Sequence, residues 1–367
     1  MRPNPAAPQG TTIASTVDMQ IERPTRVPLT APAPQRASAP AHRRVVAIGG
    51  GTGLPIVLRG LNHAAGTLTD PTTARWLTAL VTVMDDGGSS GRLRDTLGML
   101  PPGDIRNCLA ALASGPSALA AMLHDRLPSG SDMEHPLGNL LLAALTSVQG
   151  DFVGAIDSLG DIIGARGRVL PATLENVHLS ASFEDGSLVR GESAIAARRG
   201  RIRRLALERA VRPLPEAIEA IVNADLIVIG PGSLYTSIIP NLLVDGVAAT
   251  ISAVQATRVY VANLMTEPGE TDNYSLGDHL AALRDHTGHE LFDYVLVNRA
   301  PLSRSAVARY AQDGSEPVRG PEHNGWTDRA RIVTSDLVMT TASGELRHDP
   351  AALGFALLAL SGARRTH

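Results

Sequence analysis

The sequence predicts an α/β protein built on a doubly wound, mostly parallel sheet, with helices on both faces and a small antiparallel insertion. Three observations carry this. Short apolar runs alternate with segments of helical period along most of the 367 residues, the pattern of strands joined by crossover helices. Several runs end in glycine turns that open directly into a helix pattern. One central stretch instead carries a hairpin signal, Asp185-Gly186, between two strand-like runs.

From Met1 to about His42 the chain is rich in Pro, Ala, Thr and Ser without apolar period, so residues 1-42 read as a disordered tail. Residues 43-367 read as one large domain. Val45-Ile48 is a strand running into Gly49-Gly53, with a helix from about Pro55 to Leu61. Leu77-Met84 is the next strand, and Asp85 to Arg94 reads as a flexible loop. Helices are expected at roughly Asp104-Ser114, Pro116-Asp125 and Pro136-Val148. Val169-Thr173, Val177-Phe183 and Leu188-Glu192 read as strands of a β-rich insertion over about 168-205, with Arg198-Arg204 as a solvated edge. The alternation then resumes with a helix at Glu216-Asn223, strand Leu226-Ile229, strand Val259-Asn263, helix Leu276-His286 and strand Tyr294-Val297.

Composition excludes several chemistries. The chain has 33 Lys and Arg residues, and all are arginine. Schiff-base lysine enzymes, P-loop NTPases and ordinary protein kinases are therefore out. Phosphate must be held by arginine, backbone N–H groups, helix ends or metal. Cys108 is the single cysteine, which rules out an intrachain disulfide and multi-cysteine metal sites and fits a reducing compartment. A net charge of -3 and 3% aromatic residues offer neither the field nor the stacking platforms of a nucleic-acid binder. The apolar runs are too short to span a membrane, and the start lacks the order of a signal peptide.

In a doubly wound sheet ligands sit beyond the carboxyl ends of the strands, so the strand-end loops are the candidate site. Gly49-Gly50-Gly51-Thr52-Gly53 has four glycines in five residues, which lets backbone approach a pyrophosphate and points N–H groups at it, with Thr52 adding a hydroxyl. The alternative is a turn needed only for packing. Asp85 and Asp86 suit a ribose diol, or Mg²⁺ beside a diphosphate, or a plain solvated turn. Gly88, Ser89, Arg92 and Arg94 beyond them suit a phosphate clamp or an ordinary charged loop. Gly230, Gly232 and Ser233 repeat the glycine device, Ser233 being placed to cap the next helix. Arg106 and Asn107 sit on a helix opened by Pro101-Pro102-Gly103-Asp104, and Asp104 is equally a simple N-cap. His135 and Asn139 flank Gly138 at another helix start, as acid, base or substrate contact, or in a structural bond. Asn263, Thr266 and Glu267 at a strand end suit a sugar or base. Cys108 reads as packing.

The blocks Val46-Pro55, Val81-Arg94 with Leu97-Asn107, His135-Asn139, Gly230-Ser237 and Asn263-Thr271 resemble the gluconeogenesis factor family YvcK, over about residues 45 to 340. The resemblance implies a Rossmann-like fold, cytoplasmic location, and binding of UDP-N-acetylglucosamine or another UDP-sugar without a required cofactor. It also implies a role in cell shape and wall synthesis on gluconeogenic carbon sources, acting as a homo-oligomer with cell-wall synthesis proteins as partners. The same superfamily holds 2-phospho-L-lactate transferase, a Mg²⁺-dependent enzyme of deazaflavin coenzyme (F420) biosynthesis. That enzyme is the alternative, with Asp85 or Asp86 on the metal, although Gly87-Arg94 is similar to the regulatory branch.

Overall fold

The computed structural model describes residues 27–28, 43–68, 76–114, 118–126, 135–320 and 330–362. Its strands are β1 (Val27–Pro28), β2 (Val45–Gly49), β3 (Leu77–Val81), β4 (Arg168–Pro171), β5 (Leu179–Phe183), β6 (Leu188–Arg190), β7 (Ile202–Leu207), β8 (Leu226–Ile229), β9 (Thr257–Val261), β10 (Tyr294–Asn298), β11 (Arg331–Ser335), β12 (Val338–Thr340) and β13 (Leu346–His348). The helices are α1 (Gly53–Leu68), α2 (Gly88–Leu97), α3 (Gly103–Leu112), α4 (Ala118–Met122), α5 (Leu137–Gln149), α6 (Phe152–Ile162), α7 (Glu192–Arg198), α8 (Pro215–Val222), α9 (Ile239–Leu242), α10 (Val247–Ala253), α11 (Leu276–Thr287), α12 (Arg304–Gln312) and α13 (Pro350–Leu360).

The central sheet runs β1-β11-β10-β9-β8-β2-β3-β4, parallel throughout, with helices around it. This is the doubly wound, Rossmann-like fold expected. All residues of β2 and β8 are buried, because each face carries helices. Their sequences are accordingly continuous apolar runs rather than alternating ones. The disordered-tail expectation falls on residues outside those described, except that Val27–Pro28 lies beside Val333 and Thr334 at the sheet edge.

Two expectations need correction. Arg168–Pro171 pairs in parallel with β3, so it is the edge strand of the main sheet and not part of the insertion. The antiparallel insertion is the sheet β6-β5-β7, which begins only at Leu179. β7 is its edge, as expected for the arginine-rich run. Second, Asp85-Arg94 is not a loop, since α2 starts at Gly88. Its composition hid it. Glycine and serine open the helix, and a Cβ at Gly91 would stand 2.0 Å from the Asp86 carbonyl oxygen. Tertiary burial of Leu93 and Arg94 holds what local propensity does not.

Helix α13 closes the fold against α1 through two glycines. A Cβ on Gly60 would lie 2.2 Å from the Pro350 oxygen, and one on Gly354 would lie 2.0 Å from the Gly60 oxygen. The two backbones therefore cross in contact. Asp349 caps α13 by accepting from Ala352 N–H at 2.9 Å, with proline in the first turn, a standard start signal. Among the described residues no single helix is long and apolar enough to cross a membrane.

Candidate functional site

Strand β2 lies between β3 and β8. The chain winds outward from β2 in both directions, so the crevice beyond β2 and β8 is the topological switch point. Two glycine turns line it. Gly51 has φ +59° and Gly230 φ +74°, left-handed conformations that favour glycine. A Cβ on Gly53 would lie 2.1 Å from the Pro231 oxygen, so the turns after β2 and β8 touch through backbone. The Gly232 α-carbon side faces the Gly50 oxygen, 3.7 Å from where a Cβ would stand. Thr52 is exposed at the start of α1.

The third wall comes from α3. Asp104 accepts from Gly51 N–H at 2.7 Å, placing a carboxylate in the glycine cradle. A Cβ on Gly50 would come within 2.6 Å of the same oxygen and 2.9 Å of Thr82 Cγ2. Burial pushes the Asp104 carboxyl up to about 6, with Asp85 adding to the shift; the Gly51 N–H and Arg106 oppose it. Asp104 is thus no plain N-cap. The Thr82 hydroxyl beneath Gly50 is buried and has no hydrogen-bond partner among the described residues.

A polar chain joins three of the sequence blocks. Ser89 Oγ and His135 Nδ1 are 2.7 Å apart, and Asn139 Nδ2 donates to Ser89 Oγ at 2.9 Å. Arg106 donates to Asn139 Oδ1 at 3.2 Å and to Asn107 Oδ1 at 2.8 Å. Close packing enforces this, because a Cβ on Gly138 would meet Arg106 Cγ at 2.7 Å. Burial, then the cations Arg92 and Arg126, hold the His135 imidazole below its ordinary value, which favours the neutral ring. Arg92 is exposed. Arg94 departs from the clamp reading, for it is buried beneath α2 and donates to the Val177 carbonyl at 2.6 Å. It fastens the segment leading into the insertion to α2.

On the β8–β9 side, Ser233 Oγ donates to Glu267 Oε1 at 2.7 Å instead of capping a helix. Gly232 and Asn263 exchange two bonds, at 3.1 and 3.0 Å, so Asn263 shapes the turn. Thr266 is spent on Glu316, whose N–H donates to its hydroxyl at 2.8 Å. Below the turn, Glu270 accepts from Tyr235 N–H at 3.0 Å and Thr236 Oγ at 2.8 Å, bracing the π-helical turn Leu234–Ile238. Burial, then Glu267, pushes the Glu270 carboxyl up to about 8. A raised folded pKa means that the native state holds its proton more tightly, so this stability is full below the unfolded value and lost as pH rises toward 8. Thermal midpoints should therefore fall between pH 5 and pH 8. Glu270→Gln should flatten that slope by up to about 1.4 kcal/mol per pH unit; an unchanged slope in melting curves would refute the assignment.

Asp86 does not fit a resident cation. Its two oxygens accept from Glu192 and Ser193 N–H, each at 2.9 Å, while Asp85 Oδ1 accepts from Gly87 N–H at 2.9 Å. Among the described residues no three His, Cys, Asp or Glu side chains converge as a metal site. A cation here would have to arrive with a ligand of its own, held by that ligand's oxygens and at most a carboxylate or two.

Asp104, Thr82, Glu192, Thr236 and Glu270 lie at or beside the crevice although the strand-end rule did not select them. All but Glu192 lie inside the quoted motifs, where they were not singled out; Glu192 reaches the crevice from the insertion and leaves no local signal.

Fold and site together define a Rossmann-like protein whose glycine-lined crevice stands at the switch point of a parallel sheet. Residues 45–338 match the family described as 2-phospho-L-lactate transferase CofD. The chain is 43% identical over 318 residues to the gluconeogenesis factor of Halalkalibacterium halodurans, covering 86% of this chain and 96% of that protein. It is 42% identical over 308 residues to the gluconeogenesis factor of Bacillus subtilis, covering 83% and 94%. A crystal structure of a Bacillus halodurans protein superposes with a TM-score of 0.81 at 42% identity, covering 87% of this chain and all of that one. The chain belongs to the CofD family and, within it, to the gluconeogenesis factor (YvcK) group.

Proposed function

We propose that the switch-point crevice binds a UDP-sugar, with UDP-N-acetylglucosamine the first candidate, and that the chain is a cytoplasmic regulator of cell shape and wall synthesis on gluconeogenic carbon sources. The observation that carries this is the backbone contact of the two glycine turns at Gly53 and Pro231. It brings two strand-end turns and the α1 N-terminus to one place, which suits a diphosphate without lysine. Exposed Thr52 supplies a hydroxyl donor, and the Ser89-His135-Asn139-Arg106 chain supplies polar groups alongside. As a regulator it works as a homo-oligomer and hands its signal to cell-wall synthesis proteins.

Calorimetric titration with UDP-N-acetylglucosamine tests the binding step, and no heat at millimolar ligand sinks it. Thr52→Val, which keeps shape and removes the donor, should weaken affinity about tenfold, the worth of one hydrogen bond to a charged group. Unchanged affinity in the same titration would mean that the hydroxyl does not touch the ligand. For the cellular role, a deletion strain on a gluconeogenic carbon source should lose its shape and regain it with the wild-type chain but not with a non-binding variant.

One observation favours a second reading, transfer of a phospholactyl group. The carboxyls of Asp104 and Glu192 are pushed up to about 6 and about 7, by burial first and then by neighbouring carboxylates, the range of general acids and bases at neutral pH. Incubation with the deazaflavin alcohol, activated phospholactate and Mg²⁺, followed by chromatography, decides it. No product under conditions active for a genuine transferase excludes it.

A further inference from the structure

Helix α7 belongs to the antiparallel insertion, yet both its ends are fastened at the central sheet's crevice. At its start Glu192 and Ser193 N–H groups donate to the two oxygens of Asp86, each at 2.9 Å. A Cβ on Gly87 would stand 2.7 Å from Ser193 Oγ. At its far end a Cβ on Gly269 would stand 2.9 Å from the Ala196 oxygen and 3.5 Å from the Arg199 α-carbon. Asp86 and Gly87 follow β3, whereas Gly269 follows β9, and the strand order between them is β9-β8-β2-β3.

The helix therefore crosses the carboxyl ends of β2 and β8. Gly269 adjoins Glu270, which is bonded to the turn beyond β8, so the span from β3 is two strand spacings, about 10 Å, which a helix of this length covers. Glu192 at the head of this helix is half-buried. Burial and the charges of Asp85, Asp86 and Asp104 raise its carboxyl to about 7, and the same carboxyl in turn raises that of Glu270. Its side chain thus feels groups on both walls.

We propose that α7 is a strap roofing the switch-point crevice, that Glu192 is the specificity-determining residue it presents to the ligand, and that Asp86 is the positioning residue holding the strap. This rests on the crevice being the nucleotide-sugar site. A carboxylate is repelled by phosphate but accepts a hydrogen bond from a hydroxyl, so Glu192 reads a hydroxyl of the ribose or of the hexose. The structure makes Asp86 a cap for the insertion's helix, and its role in binding is indirect.

The test has two arms. In the first, UDP and UDP-N-acetylglucosamine are titrated into wild type, Glu192→Ala and Glu192→Gln. Glu192→Ala should weaken binding about tenfold, with Glu192→Gln, which keeps an oxygen acceptor, losing less. Equal losses for both ligands assign the ribose hydroxyl, and a loss confined to UDP-N-acetylglucosamine assigns the hexose. Affinity unchanged or increased in Glu192→Ala overturns the assignment, because a carboxylate that only repelled the diphosphate would strengthen binding when removed. The second arm needs no ligand, so it stands apart from the UDP-sugar reading. Asp86→Ala should speed amide exchange in the peptide spanning residues 191–199, while exchange in β2 and β8 stays slow. Unchanged exchange in α7 would show that Asp86 does not hold the strap.

Discussion

Replacing Gly53 by alanine should abolish ligand binding. The new Cβ would lie 2.1 Å from the Pro231 oxygen and 2.7 Å from its carbonyl carbon. Both are backbone atoms, so no rotamer change relieves the clash. The turns after β2 and β8 must separate, and the cradle between them opens. Overpacking of this kind costs about 1–3 kcal/mol, which lowers the thermal midpoint by several degrees in a chain of this size. Binding should suffer more than stability, by at least a hundredfold, because the proposed anion site consists of the same backbone that moves. Gly150→Ala is the control. Gly150 has φ +69° with no atom within 4 Å of a Cβ, so it should cost stability of about 1 kcal/mol and leave affinity alone. Calorimetry on both variants decides the matter; equal affinity in Gly53→Ala and wild type would show that the two turns are not the binding cradle.

Gly354→Ala should be the most destabilising single-methyl change in the second half of the chain. Its Cβ would stand 2.0 Å from the Gly60 oxygen and 2.3 Å from the Gly60 carbonyl carbon, while Gly60 itself is as tightly met by Pro350. The axes of α1 and α13 can separate only by breaking the packing of the core residues Leu353 and Leu357, both 0% exposed. We expect a loss of about 3 kcal/mol, read as a lower urea midpoint with unchanged slope. Because α1 begins at the glycine cradle, affinity should fall with it. A melting curve indistinguishable from wild type would mean that the crossing has slack.

Both substitutions depend on facts of unequal legibility. That a strand ends in Gly49-Gly53 and another in Gly230-Ser233 is plain in the chain, since four glycines in five residues leave little else to be made there. The strands at Leu226-Ile229 and Tyr294-Val297 are equally plain, as continuous apolar runs suit strands covered on both faces. Helix α2 was not, because its glycine and serine start speaks for a loop and its burial speaks for a helix. The side on which Arg94 lies follows from the same conflict. Two arginines two apart on a loop make a clamp, but on a helix they point in different directions, one exposed and one beneath it. Helix α13 was not among the expected elements, although Asp349-Pro350 opens it with a cap and a first-turn proline. The apolar run that follows it, Phe355–Leu360, bears on spanning length and does not reveal that α1 is its partner.

By itself the sequence determined the class of fold, the two glycine turns, and the absence of lysine and disulfide chemistry. These follow from local spacing and composition, which tertiary contacts cannot alter. Only the tertiary structure decided what the turns face. The strand order set β2 beside β8, Asp104 came into the Gly51 cradle from 53 residues away, and Asp86 captured α7 across 106 residues. A hydrogen bond of that kind depends on where two distant backbones end up, and the pairing is set by packing of the whole sheet rather than by either segment.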